Sequence, residues 1–208
     1  MTPGKLRGLY AITDEALIPA SAFAATVELA LKGGATIIQY RDKSGDDPKR
    51  LQQASMLRDL CTEYSATLII NDDIQLAKST AADGVHLGED DASIERARDM
   101  LGNEAIIGVS CYNELQRALD AQSAGADYVA FGAMFSSSTK PNARSASYEL
   151  IRTAKEQLDI PVCAIGGIDG HNVAGVIVSG ADMTALVNGL FAADDIMQTA
   201  RHIAGLFD

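Results

Sequence analysis

The chain has 208 residues and a formal net charge of −11, with 47% hydrophobic and 22% charged residues. This length allows one substantial core, and the composition is that of an ordinary globular protein. The acidic excess argues against a nucleic acid or a membrane surface as partner, because both are polyanionic. An anionic small molecule stays open as a ligand, provided that basic residues reverse the field locally.

Cysteine usage and hydropathy indicate the cellular setting. The three cysteines, Cys61, Cys111 and Cys163, are far apart and form no CxxC pair, so we expect reduced thiols rather than a zinc site or a disulfide framework. The first ten residues lack the apolar core of a signal peptide, and no apolar run approaches the length of about 20 residues that a membrane span needs. We therefore expect a cytoplasmic protein.

Short apolar runs alternate with segments of helical periodicity along the chain, which predicts strands alternating with helices. The predicted strands are residues 8–13, 36–41, 67–71, 84–87, 105–110, 128–133, 162–165 and 183–187. Helices are predicted over 22–31, 49–64, 113–123, 148–157 and 196–206. Eight such units favour the α/β class and one (β/α)8 barrel domain over residues 1–208.

The connections between these elements carry turn and cap residues. Asp47-Pro48 reads as a helix N-cap followed by proline in the first turn, and Gly33, Gly125 and Gly180 stand where a glycine follows a helix. Related phrases, such as Gly-Ala-Asp, precede several strands. The long irregular stretch at 136–147 is predicted to be an active-site lid, with a disordered insertion as the alternative.

In a (β/α)8 barrel the chemistry lies on the loops after the strands, so polar residues there matter most. Gln39, Arg41 and Lys43 follow one another at a spacing of two, which places them on one face of an extended segment. A solvated strand end is the alternative reading of these three residues taken alone.

Acidic residues follow the next two predicted strands, in Asn71-Asp72-Asp73 and in Glu89-Asp90-Asp91. Carboxylates on adjacent loops are hard oxygen ligands of the kind that Mg²⁺ takes, with water and phosphate completing its shell. Asp73 and Asp91 each precede a helical run, so a role as helix N-caps stays equally open for them.

Phosphate-binding candidates follow the later strands. Ser110 ends the fifth, and the next loop carries Ser136, Ser137, Ser138, Thr139 and Lys140, whose hydroxyl and ammonium groups can donate to phosphate oxygens. Gly166-Gly167 and Val187-Asn188-Gly189 follow the seventh and eighth strands, where barrels commonly hold a phosphate. The three histidines show no metal-ligand spacing, and no Ser–His–Asp or Cys–His arrangement is indicated.

Taken together, these blocks resemble the thiamine-phosphate synthase family over nearly the whole chain. The matching segments are LYAITD at 9–14, GGATIIQYRDK at 33–43, LIINDD at 68–73, ADGVHLGEDD at 82–91, IIGVS at 106–110, GADYVAFG at 125–132, STKP at 138–141 and PVCAIGGI at 161–168. The resemblance implies a transferase of thiamine biosynthesis on a (β/α)8 barrel. It would couple an aminopyrimidine methyl diphosphate to a hydroxyethylthiazole phosphate, carboxylated or plain, and release pyrophosphate.

The resemblance also implies roles for individual residues. Six residues would hold the pyrimidine diphosphate: Gln39, Arg41, Lys43, Asn71, Ser110 and Lys140. Four of these six would also be catalytic, namely Arg41, Lys43, Ser110 and Lys140. Asp72 and Asp91 would bind Mg²⁺. The thiazole phosphate would be held by Ser137, Ser138, Thr139, Gly167, Val187 and Asn188. Assembly into a homo-oligomer is left open.

Two positions depart from the family pattern. Ser137 stands where the family usually has threonine, and serine keeps the hydroxyl group. Asn188 stands where a serine is common, so a backbone contact to phosphate would stay but a hydroxyl contact would be lost.

The alternative functions are a thiazole tautomerase-like paralogue, a barrel lyase or aldolase with Lys43 or Lys140 as a Schiff base, and a non-catalytic ligand-binding paralogue. Tautomerases carry a histidine after the fifth strand, where this chain has Ser110-Cys111-Tyr112.

Overall fold

The computed structural model describes residues 6–135 and 146–207. Within them, eight parallel strands close into a barrel in which each pairs with its neighbours in chain order and the last pairs with the first. The strands are β1 (Gly8–Ile12), β2 (Ile37–Tyr40), β3 (Thr67–Asn71), β4 (Gly84–Leu87), β5 (Ile106–Tyr112), β6 (Tyr128–Phe131), β7 (Val162–Ile165) and β8 (Met183–Leu186). The predicted (β/α)8 barrel is confirmed.

The helices of the described residues lie outside the barrel. They are α1 (Phe23–Lys32), α2 (Asp47–Glu63), α3 (Ile74–Ser79), α4 (Ile94–Leu101), α5 (Leu115–Ser123), α6 (Tyr148–Gln157), α7 (Val173–Val178), α8 (Asn188–Phe191) and α9 (Ile196–Ala204). The sequence pattern found the five longer ones among them but not α3, α4, α7 and α8. None of the helices in these ranges is long and apolar enough to cross a membrane.

Two predicted helix ends were wrong by one residue. Asp46, not Asp47, caps α2, because its carboxylate accepts the backbone N–H of Lys49 at 3.1 Å while Asp47 and Pro48 occupy the first helical positions. After α1, Gly33 keeps a right-handed backbone and Gly34 takes the positive φ of 101°. Gly125 and Gly180, at φ of 91° and 105°, have the predicted left-handed backbone.

The strand boundaries match closely where the apolar runs are sharply limited. The predicted runs at 67–71, 84–87 and 162–165 coincide with β3, β4 and β7. Strand β5 runs two residues further than predicted, to Tyr112, through a register shift between Ser110 and Tyr112. Of the segment 136–147, residues 136–145 lie outside the described residues, so the lid stays a prediction. Ser147 caps α6 by accepting the backbone N–H of Leu150.

Three aspartates account for the sequence motif that recurs before several strands. Asp83, Asp127 and Asp182 directly precede β4, β6 and β8, and each carboxylate accepts a backbone N–H at the start of the preceding strand: Leu68 N at 2.7 Å, Ile107 N at 2.8 Å and Val162 N at 2.7 Å. The same oxygen pairs with a cation from the helix before that strand: Arg58, Arg98 or Lys155. We call these three sites the aspartate clamps.

Alternation along the strands separates two apolar layers. One set of side chains, which includes Tyr10, Ile37, Ile69, Tyr128 and Met183, is buried inside the barrel. The other set packs between the strands and the helices. The inward positions continue past the apolar layer to polar residues at the C-terminal ends of the strands, so register decides which side chains meet there.

Removing the charge of one clamp should destabilise the barrel without touching its C-terminal face. Asp127→Asn weakens the interactions with Arg98 and with Ile107 N, and the Asp127 side chain is 6% exposed. We expect the free energy of unfolding in urea to fall by about 2 kcal/mol. Asp120→Asn is the control, because Asp120 is exposed and contacts Gln116 on its own helix; its expected loss is below about 0.5 kcal/mol. Equal losses in the two variants would refute the clamp.

Candidate active site

A cavity of about 540 Å³ opens among the C-terminal ends of the strands. Its lining comes from strands all round the barrel, including Gln39, Arg41, Asn71, Ser110 and Val187. These five were predicted as ligand-binding residues from sequence, and the structure brings them to one cavity. This end of the barrel is where enzymes of this fold carry their active sites.

The basic side chains after β2 point in different directions. Gln39 is buried and Arg41 lines the same cavity, as their spacing of two predicts. Arg41 lies 3.6 Å from the carboxylate of Asp14, which also lines the cavity and which the sequence pattern did not single out. Lys43 lies instead in an adjoining cavity of about 200 Å³, which shares Asn71 with the larger one.

Lys43 forms an ion pair with Asp72 in this smaller cavity. Asp72 has a left-handed backbone with φ of 62°, a conformation that Asp and Asn tolerate better than most residues. Asp73, the next residue, caps α3 by accepting the backbone N–H of Leu76 at 2.9 Å, and it also pairs with Arg50. The N-cap alternative is thus correct for Asp73.

Asp91 does not cap a helix, because α4 is capped by Ser93. Its carboxylate folds back to accept the backbone N–H of Gly88 at 2.6 Å and lies beside Asp72. Partial burial, followed by the hydrogen bond to Asp72, raises the pKa of the Asp91 carboxyl. Two carboxylates crowded together in this way favour a shared cation or a shared proton.

The metal-binding capacity of this pair is limited. Within residues 6–135 and 146–207, no group of three or more His, Cys, Asp or Glu side chains is placed to hold a metal ion. The donor set of Asp72 and Asp91 nevertheless fits Mg²⁺, which keeps several waters and is commonly held by one or two carboxylates together with substrate phosphates.

A chain of hydrogen bonds, buried except at its partly buried Ser110 end, connects Gln39 to Ser110 across the barrel. Gln39 Nε2 lies 2.7 Å from Tyr10 Oη, Tyr10 Oη lies 2.8 Å from Tyr128 Oη, and Tyr128 Oη lies 2.9 Å from His86 Nδ1. His86 Nε2 then lies 2.9 Å from Ser110 Oγ. We call these five residues the polar chain.

Sequence reasoning missed the middle of this polar chain. Tyr10, His86 and Tyr128 lie within predicted strands, and none of them was predicted to belong to the site. One sequence signal was available in Gly108, a glycine within β5. A Cβ on Gly108 would lie 2.0 Å from Cζ of Tyr128. The glycine therefore leaves space for the tyrosine ring, which connects the two halves of the polar chain.

Burial controls the protonation of the polar chain. It raises the pKa of both phenols, Tyr10 and Tyr128, which therefore stay protonated. It lowers the pKa of His86 to about 4, against a smaller opposing effect of the Asp91 charge. The imidazole is accordingly neutral near pH 7, with one ring nitrogen as donor and the other as acceptor.

The turns after β7 and β8 lie against each other. Gly167 has φ of 65°, and a Cβ on Gly189 would lie 2.2 Å from the carbonyl oxygen of Ile168. Gly166 and Val187 line the large cavity, whereas Gly167 and Asn188 are outside its lining. Asn188 is exposed and begins the short helix α8. Of the other predicted ligand-binding residues, Ser137, Ser138, Thr139 and Lys140 lie outside the described residues.

Comparison with known proteins bears directly on this cavity. A family model described as thiamine monophosphate synthase matches residues 9–190, which include residues from all eight strands. The chain belongs to this family. A thiamine-phosphate synthase from Thioalkalivibrio sulfidiphilus is 51% identical over 207 residues, covering 100% of this chain and 98% of the relative.

Two further comparisons agree with this membership. A thiamine-phosphate synthase from Nitrosococcus oceani is 52% identical over 195 residues, which cover 94% of this chain and 90% of the relative. The solved structure of a thiamine phosphate pyrophosphorylase from Pyrococcus furiosus superimposes with a TM-score of 0.88 at 36% identity, covering 98% of this chain and 96% of that one. The resemblance inferred from the sequence blocks is confirmed.

The neutral buried histidine predicts a pH dependence of stability. Unfolding returns His86 from a pKa of about 4 to its ordinary value of 6.5, so the unfolded state binds the extra proton between these values. The His86 contribution is full above pH 6.5 and is lost as the pH falls towards 4, by up to about 3 kcal/mol. Urea unfolding of the wild type should therefore weaken more steeply over this range than that of His86→Gln. His202→Gln, at an exposed position, should follow the wild type; parallel curves for all three would contradict the prediction.

Proposed function

We propose that this protein is a thiamine-phosphate synthase, a transferase that couples an aminopyrimidine methyl diphosphate to a hydroxyethylthiazole phosphate. The C–O bond between the pyrimidine methylene and the diphosphate breaks with its electrons leaving on oxygen. The thiazole nitrogen then forms the new C–N bond. The observation that carries the proposal is the single cavity lined by Gln39, Arg41, Asn71, Ser110 and Val187 in a chain of this family.

The ring of the pyrimidine would lie over the polar chain, between Gln39 and Ser110. Their amide and hydroxyl groups offer hydrogen bonds from the strand ends, and Asn71 stands where the two cavities meet. Residues on rigid strands hold a substrate in a defined orientation, which lowers the entropic part of the barrier. Such a reaction needs positioning and charge stabilisation more than a general base.

The departing diphosphate would meet the basic residues. Negative charge develops on the leaving oxygen, so cations that approach it stabilise the transition state more than the ground state. Arg41 and Lys43 lie at the two neighbouring cavities, each beside a carboxylate with which it can exchange partners. We assign Lys140, from the loop after β6, to the same task.

The metal of the proposed reaction is Mg²⁺, which Asp72 and Asp91 would hold. It would neutralise charge on the diphosphate oxygens. Support comes from the adjacency of the two carboxylates and from the raised pKa of Asp91. Lys43 would turn from Asp72 to the diphosphate when that carboxylate is engaged.

The thiazole phosphate would be held at the later strands by Ser137, Ser138 and Thr139 with Gly167 and the backbone of Val187-Asn188. The close contact between the turns after β7 and β8 supports a shared anion site there. We also propose that the segment 136–147 closes over the cavity and excludes water, which would otherwise capture the pyrimidine cation.

Two features of the described residues support the proposed function and the proposed cellular compartment. The amine of Lys43 is ion-paired with Asp72, whereas a Schiff-base lyase needs a lysine amine that is free to attack a carbonyl. The three cysteines are free and buried, which fits the reduced, cytoplasmic setting that we propose.

A charge-removing substitution tests the metal assignment. Asp72→Asn keeps a residue type that tolerates the left-handed backbone at this position. We expect pyrophosphate release from the two precursors to fall by about 100-fold or more and to need more Mg²⁺ for half-maximal rate. Asp90→Asn, which changes an exposed neighbouring carboxylate, is the control with near-normal rates. Full wild-type activity in a chelator would reject the metal, and no thiamine phosphate from the wild type with Mg²⁺ would reject the function.

A further inference from the structure

The polar chain is saturated, so its hydrogen bonds are directional. Each phenol has one proton to donate and each lies between two partners, at 2.7 Å and 2.8 Å for Tyr10 and at 2.8 Å and 2.9 Å for Tyr128. A phenol that accepted from both sides would leave its own buried proton without a partner, which costs free energy, so a phenol that accepts from one side donates to the other. The direction at one end of the polar chain therefore fixes the direction at the other end.

Two directions are possible. In the first, Gln39 Nε2 donates to Tyr10, Tyr10 to Tyr128, Tyr128 to His86 Nδ1, and the proton on His86 Nε2 is donated to Ser110 Oγ. In the second, Ser110 donates to His86 Nε2, His86 Nδ1 to Tyr128 and Tyr128 to Tyr10. The Gln39 amide must then turn over, so that Tyr10 donates to its Oε1. In each direction one ring nitrogen of His86 must accept and the other must donate, so the ring carries one proton and supports one direction at a time.

The structure has the first arrangement at Gln39, whose Nε2 faces Tyr10. Ser110 then accepts from the histidine, and its own hydroxyl proton is free to be donated into the cavity. Gln39 correspondingly keeps its carbonyl oxygen as an acceptor. The two ends of the polar chain, both lining the cavity, present opposite polarity to a ligand between them.

We propose that His86 is a positioning residue that, protonated on Nε2, sets Ser110 as donor and Gln39 as acceptor and thereby selects an aminopyrimidine over its oxo counterpart. An aminopyrimidine offers an amine donor and a ring-nitrogen acceptor, whereas the oxo ring offers a carbonyl acceptor and an N–H donor. The oxo ring would have to reverse five residues or leave buried groups unpaired, and both cost free energy. The ligand class rests on the proposed function, but the direction of the polar chain does not.

The surroundings hold the side chains of the polar chain in place without help from the ligand. The His86 ring stacks on the Tyr128 ring with centroids 5.5 Å apart, and Tyr128 meets Tyr10 edge to face at 6.1 Å. At the far end, Arg117 Nε donates to the carbonyl oxygen of Ser110 at 2.8 Å, which fixes the backbone of that serine. Rigid supports of this kind are what a recognition site needs for its polarity to be set in advance.

Two substitutions of His86 separate its two nitrogens. In His86→Asn the amide can replace Nδ1 towards Tyr128 but falls short of Ser110, whereas in His86→Gln the longer amide can replace the Nε2 donor. The readout is the dissociation constant, by calorimetry, of the aminopyrimidine methyl monophosphate against that of its oxo counterpart. We expect the wild type to prefer the amino ring by about 100-fold, His86→Gln to stay within about threefold of that ratio, and His86→Asn to fall below about tenfold.

Tyr128→Phe interrupts the polar chain while keeping the stacked ring, and it carries the test if His86→Asn does not fold. Its preference should also fall below about tenfold. Tyr64→Phe removes a phenol that bonds Glu28 outside the cavity, and it should keep the wild-type ratio. Unchanged preference in every folded polar-chain variant would overturn the positioning role.

The tautomer is measured without any substrate. The full chain contains three histidines, so ¹⁵N spectra of the labelled imidazoles can be assigned by the signals lost in His86→Gln. We expect His86 to carry its proton on Nε2 and Tyr128→Phe to release this restriction; a proton on Nδ1 in the wild type would overturn the proposal. If the wild type makes no thiamine phosphate yet shows the Nε2 tautomer and the amino preference, the proposed function fails and the positioning role stands.

Discussion

The aspartate clamps fix the relation between neighbouring strands on which the rest of the barrel depends. In a closed parallel barrel, a slip of one residue would exchange the inward and outward side chains of a whole strand. Asp83, Asp127 and Asp182 each join the start of one strand to the start of the next and add a cation from a helix. Thr36 serves the first pair in another way, by donating to the backbone carbonyl of Arg7 at 2.7 Å. Register set at this end determines which residues meet at the other.

At the C-terminal ends of the strands, the register brings together a layer of polar side chains and not a further apolar layer. The polar chain occupies the position where side chains from opposite walls meet, and Gly108 leaves the space for it. Burying the polar side chains of Tyr10, Gln39, His86 and Tyr128 costs free energy unless their polar atoms have partners. The successive bonds of the polar chain supply partners in the interior. The same arrangement that satisfies the interior also supports two residues of the cavity wall.

The fold and much of the cavity could be predicted from sequence because both depend on short-range periodicity. A spacing of two predicted that Gln39 and Arg41 share one face, and both line the cavity. Arg41 directly follows the last strand residue, Tyr40, and keeps the alternation. Lys43 lies three residues beyond the strand, where the alternation no longer governs it. Helices of four to eight residues, such as α3 and α8, are too short to show a helical period. The contact of Tyr10 with Tyr128 joins residues 118 positions apart, and no local pattern in either segment predicts it.

The clamps also divide the barrel into modules. Each one joins a helix, the strand after it, and the turn into the following strand, as in α2 with β3 and β4. The boundaries between such modules fall after β2, β4 and β6, in the loops that carry Lys43, Asp91 and the segment 136–147. Insertions or exchanges at those loops leave every clamp whole. Evolution can therefore rebuild the catalytic rim of this barrel one loop at a time while inheriting its framework unchanged.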